Sequence, residues 1–67
     1  MSYAKLRGKI REVFGTQEAF ARVIGIDAAT LSKKLNASSD WTITEMRGAC
    51  LALGISAAEA GEYFFEV

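Results

Sequence analysis

Apolar residues recur along this chain at helical spacing in four successive blocks. Leu6, Ile10, Val13 and Phe14 stand at i, i+4, i+7 and i+8, one face of an amphipathic helix predicted over about 3–14. Gly8 within it suggests a close approach, and Gly15 ends it as a C-terminal cap. Thr16 then caps a second helix whose inward face is Phe20, Ala21 and Ile24. Gly25 breaks that run, Ile26 plugs the corner, and Asp27 caps a third helix over about 28–35 in which Leu31 and Leu35 form a buried i, i+4 pair. The polar stretch 36–41, NASSDW, reads as a loop. Asn36 is expected in a left-handed conformation there, with Trp41 as a lid on the core. Thr42 to Glu45 is a capping box for a fourth helix with Ile43, Met46, Cys50 and Leu53 inward and Gly54 as its stop. Ser56 to Glu59 is a second such box, for a short fifth helix ending near Gly61 or Tyr63. The tail YFFEV is apolar and β-prone.

The second and third blocks together have the mechanics of a helix-turn-helix. Two helices crossing at roughly 90–120° need a small residue where they touch and a glycine at the corner; Ala21 and Gly25 supply them. The third helix would then stand out from the body, able to enter a major groove. At about 100° per residue, with Leu31 and Leu35 inward, Ala29, Ser32 and Lys33 point outward with Ala28 beside them. Those four are the expected base-reading positions: Lys33 can donate to guanine, and alanine methyls can pack on thymine methyls. So short a hydrogen-bonding vocabulary implies modest direct readout, with deformability of the site sharing the specificity. Gln17, in the first turn of the second helix, could meet a phosphate or be solvated. Asn36, Ser38, Ser39 and Lys34 are the other expected backbone contacts, with Lys34 on the flank towards phosphate or solvent.

Composition narrows the partners. The 67 residues allow one small all-α domain, 1–67, with net charge zero and a single cysteine but no histidine. A disulfide framework and a metal site are therefore not expected, nor is a cofactor. No catalytic pair or phosphate-binding glycine loop is present, and no enzyme or small-molecule substrate is expected. No apolar run approaches a membrane span, and the chain reads as cytoplasmic. Residues 1–36 carry a net +4 and residues 37–67 a net −4, a split that would turn the first half towards a polyanion.

The pattern TQxxFAxxIGIxxxxLSxxLN at residues 16–36 resembles the helix-turn-helix of the lambda-repressor and Cro family. From its YxKLRGKIREVFGTQ opening to its GEYFF ending, the chain is similar to small phage-encoded Cro-like regulators. The resemblance implies a five-helix lambda-repressor-like DNA-binding domain, with Gln17 and Asn36 holding the DNA backbone and Ala28, Ala29 and Lys33 reading bases. Two departures stand out: Ala37 occupies a position where that family usually has glycine, and alanines occupy the first two reading positions.

The expected function is therefore a sequence-specific repressor that occludes promoters on double-stranded operator DNA. One reading helix covers too few base pairs, so a homodimer on a pseudo-palindromic site is expected, with association that can be confined to the DNA-bound state. Tyr63, Phe64, Phe65 and Val67 are the candidate dimer surface, with β-type alternation sending Phe64 to one side and Phe65 and Val67 to the other. The same aromatics could instead close the monomer core. The alternative function is a helical interaction module, an antirepressor or antitoxin-like partner that keeps the fold without binding DNA.

Overall fold

Four of the five helix starts are held by a side chain of the residue before them. The Thr16 hydroxyl accepts from the Ala19 N–H, and the Asp27 carboxylate accepts from that of Thr30. Thr42 with Glu45 and Ser56 with Glu59 form complete capping boxes. In the computed structural model, which describes residues 3–65, these caps open α2 (Gln17–Ile24), α3 (Ala28–Leu35), α4 (Ile43–Leu53) and α5 (Ala57–Phe64). α1 spans Ala4–Phe14, and among the described residues there is no strand. None of these helices is long and apolar enough to cross a membrane.

α2 lies at the centre, packed against α1, α3 and α4, while α1 also meets α4 and α5. The core is Leu6, Ile10, Phe20, Ala21, Leu31, Leu35, Ala49, Leu53, Ile55 and Phe64. Between α2 and α3 the chain turns at Gly25, whose φ of 81° a side chain would strain. Ile26 closes the corner, its N–H donating to the Ala21 carbonyl at 3.0 Å. Trp41 is the expected lid: its ring stands edge-on to Phe64 at 5.0 Å and to Tyr3 at 6.5 Å.

Several details differ from the pattern-based expectation. Val13 is 46% exposed, because the adjacent Phe14 ring takes the inward place, 5.5 Å from Phe20. Ile43 is 66% exposed and Ala49 joins the core instead. Helical side chains tilt towards the N-terminus, so the first residue of α4 points off its end rather than into the interior. A Cβ at Gly8 would meet nothing within 4 Å, so that glycine marks no close approach. The tail is not β-like: α5 continues through Phe64. The left-handed residue after α3 is not Asn36, at φ −94°, but Ala37, at φ 60°.

That last shift yields a prediction. An L-residue in the left-handed region costs about 1–2 kcal/mol, and glycine gives back roughly 0.5–1 through its larger unfolded-state entropy. Ala37→Gly is expected to stabilise the fold by about 0.5 kcal/mol, a rise in Tm of roughly 2–4 °C by calorimetry. A lower Tm would mean that the loop does not hold Ala37 in this conformation.

Candidate nucleic-acid interface

The outward face of α3 exists because its inward face is secured at every turn. Leu31 and Leu35 are fully buried, and Asp27 fixes the N-terminal end. At the C-terminal end the Arg7 guanidinium, reaching across from α1, donates to the Leu35 carbonyl at 2.9 Å and to Asn36 Oδ1 at 2.7 Å. A cation on the last carbonyls satisfies groups that helix geometry leaves open and complements the negative end of the dipole. Ala28, Ala29, Ser32 and Lys33 are all exposed, as expected. They form one small-residue face with a single charge.

Gln17 sits half-buried at the start of α2, where it lines a cleft of about 370 Å³ with Arg7, Arg11, Thr16, Glu18 and Ala28. The cleft brings the first turn of α2, the first turn of α3 and two arginines of α1 to one place. Arg7 and Arg11 were not among the expected contacts. Their i, i+4 spacing was a usable signal, since it stacks both on one side of α1. Asn36 lies across Arg7 with its oxygen engaged, which leaves its NH₂ to donate outward. Ser38 is exposed and Ser39 half-buried in the loop beyond.

Lys34 is a correction. Expected on the flank towards phosphate or solvent, it is only 5% exposed. Its ammonium donates to the Asp40 carbonyl at 2.8 Å, pairs with Glu45 at 2.8 Å and stands 6.0 Å from the centre of the Trp41 ring. It ties the end of α3 to the start of α4 and is not available to DNA. The Glu45 carboxylate also accepts from the Thr42 N–H, so one side chain completes both the capping box and the ion pair.

The expected charge split is partly closed by folding. Lys5 pairs with Glu62 at 2.6 Å and Lys34 with Glu45, so the acidic second half lies back on the basic first half. Lys9 pairs with Glu12 at 3.5 Å within α1. Of the seven cations in residues 1–36, Arg11, Arg22 and Lys33 have no ion-pair partner among the described residues. Lys33 still attracts the Asp27 carboxylate, which lies below its ordinary pKa chiefly through its hydrogen bonds from Thr30.

The four residues expected to form a dimer surface separate. Phe64 is buried in the monomer core and is corrected from interface to core. Tyr63 is half-buried beneath the Lys5 ammonium, 5.0 Å from its ring centre. Phe65 is 62% exposed, and Val67 lies outside the described residues. Helical rather than β periodicity explains the separation. Cys50 is half-buried in apolar surroundings, and burial pushes its thiol pKa up, away from the nucleophilic form.

Fold and site together define a small domain of five helices among the described residues, displaying a short, sparsely charged third helix. The chain belongs to the DUF739 family, described as "Protein of unknown function (DUF739)", which it matches over residues 1–67. Its fold is similar to the solution structure of the modulator of repression (MOR) of the temperate bacteriophage TP901-1 from Lactococcus lactis. The two share 37% identity over 97% of this chain and 88% of that one, with a TM-score of 0.84. Comparison with curated proteins gave no match.

The Lys34–Glu45 pair sets a prediction. Glu45 is held below its ordinary 4.5, first by the Lys34 hydrogen bond and then by that of the Thr42 N–H. A carboxyl depressed in the folded state adds stability that is complete above its unfolded value and is lost as pH falls through the folded one. Below pH 4.5 the wild-type urea midpoint should therefore drop more steeply than that of Glu45→Gln; equal slopes would show that Glu45 is not linked to folding. Lys34→Ala should cost about 2–3 kcal/mol, less than a fully buried pair because Glu45 keeps some solvent.

Proposed function

We propose that this chain is a temperate-phage regulator of repression, built on a lambda-repressor/Cro-like helix-turn-helix framework, and that it acts as an antirepressor. In this reading it engages a protein of the phage's repression machinery rather than holding an operator by itself. The observation that carries it is the use of the cations. Lys5 and Lys34 are paired with Glu62 and Glu45, and Arg7 holds the end of α3. The outward face of α3 is left with one charge, Lys33, beside Ala28, Ala29 and Ser32. Affinity for DNA comes largely from cations that neutralise phosphates, and this chain has net charge zero. The name of the 37%-identical relative, a modulator of repression, supports a role in regulating repression, which both this reading and the next contain. Such a role requires no catalysis and belongs in the host cytoplasm, where phage genes are transcribed.

A second reading keeps the original expectation of operator binding, as a homodimer on double-stranded DNA. One observation favours it: the cleft sets Gln17 and Arg11 beside Ala28, at the edge of the exposed α3 face. A backbone anchor next to a reading helix is what a groove-binding domain needs.

The test is an electrophoretic shift with phage promoter DNA, alone and with a repressor that binds that DNA, together with a promoter reporter. The antirepressor reading expects no sequence-specific shift by this chain at about 150 mM salt, and release or alteration of the repressor's own shift. A specific shift by the chain alone would overturn it in favour of operator binding. In that event Lys33→Ala should cost about 1–3 kcal/mol at one base position, and Gln17→Ala and Asn36→Ala should weaken all sequences alike.

A further inference from the structure

α4 is apolar on two faces. Its inward side places Ala49 and Leu53 in the core, while Ile43 and Leu51 on the outside are 66% and 86% exposed. A helix apolar on both sides ordinarily has both sides covered. Ile43, Arg47 and Leu51 follow one another at i, i+4 and i+8, a ridge about 12 Å long at 1.5 Å per residue. Beside the ridge, between α4 and α5, runs an apolar groove of about 480 Å³. Cys50 and Ala60 keep it open, and Phe65, 62% exposed, stands along it. Among the described residues, Arg47 is the only charged one lining it and has no carboxylate partner.

We infer that this groove is the docking site for an amphipathic helix of a partner protein, one that carries a carboxylate opposite Arg47. The inference rests on the interaction reading above and names the surface that reading lacks. Helix-in-groove recognition uses apolar anchors at i, i+3 or i+4, and i+7, which matches the span of the ridge. Charge decides the occupant. If a second copy packed α4 against α4 about a two-fold axis, Ile43 would meet Leu51 of the partner, but Arg47 at the centre would face its own copy. Like charges brought together at a desolvated contact repel, whereas a partner's glutamate or aspartate there completes the groove and fixes the register of the docked helix. The surface lies on α4 and α5, so the α3 face and the Gln17 cleft take no part in it.

The experiment selects helical peptides from a random display library against the immobilised full chain, then measures binding of the enriched peptides to wild type, Arg47→Glu and Leu51→Ser. Both substituted residues are exposed, and circular dichroism verifies that each variant keeps its fold. Enriched peptides should carry apolar residues at helical spacing with an acidic residue among them, and should bind either variant about tenfold more weakly or worse. Replacing that acidic residue by lysine should restore binding to Arg47→Glu. The inference is overturned if no amphipathic peptide is enriched, or if the enriched peptides bind both variants as they bind wild type. It is also overturned if the chain is a dimer in sedimentation that Leu51→Ser dissociates, which would make the occupant a second copy. The promoter reporter separates the two levels. Variants that lose peptide binding yet still modulate repression sink the groove alone, and a wild type without effect on repression sinks the functional reading alone.

Discussion

An isolated helix of eight residues does not persist in water, so α3 is helical only because of what holds it. Leu31 and Leu35 give it one buried wall against α2. Asp27 closes its first turn, Arg7 binds its last carbonyls, and Lys34 ties it to the start of α4. Two of the chain's eight cations thereby serve the orientation of one helix. Leu31, Leu35 and Lys34 support the whole fold as well as this helix, whereas Asp27 and Arg7 act at its two ends.

The same constraint shapes the electrostatics. A domain this small buries only about 60% of its unfolded surface, so a buried polar contact between distant segments matters more than in a larger core, whereas a solvent-exposed one adds little. Lys5 to Glu62 joins the start of α1 to α5, and Lys34 to Glu45 joins α3 to α4. Each uses a carboxylate of the acidic half to hold a cation of the basic half. Holding the molecule together and presenting a positive surface draw on the same residues: Lys5, Arg7 and Lys34 serve cohesion, while Arg11, Arg22 and Lys33 stay exposed.

Apolar surface is distributed in a corresponding way. The aromatic end of the chain is divided, with Phe64 inside against Trp41 and Phe65 outside beside the α4–α5 groove. The sparsely charged α3 face and the apolar groove lie on different elements. The domain therefore offers two chemically distinct surfaces on a single core, a combination suited to a regulator that works through contact with other macromolecules.

Much of the fold was legible in the sequence because its signals are local. Thr16, Asp27, Thr42 and Ser56 mark helix starts through bonds that span three residues, and Gly15, Gly25 and Gly54 mark their ends. The exposure of Ala28, Ala29, Ser32 and Lys33 followed from helical periodicity once Leu31 and Leu35 were placed inward. Periodicity erred where two residues competed for one place, as with Val13 and Phe14, or where a stripe ran past the edge of the core, as at Ile43. It could not assign the fate of long charged side chains. Lys34 has the helical angle of a flank residue, and only the approach of Asp40, Trp41 and Glu45 from the next segment buries it. Arg7 likewise became a clamp on α3 through a contact 28 residues away in sequence. Local hydrogen bonds and hydrophobic period thus determined where the helices begin, end and face. Which cations are spent inside the molecule, and which surfaces remain to meet a partner, was decided only by tertiary packing, because it alone brings opposite charges from distant segments within reach.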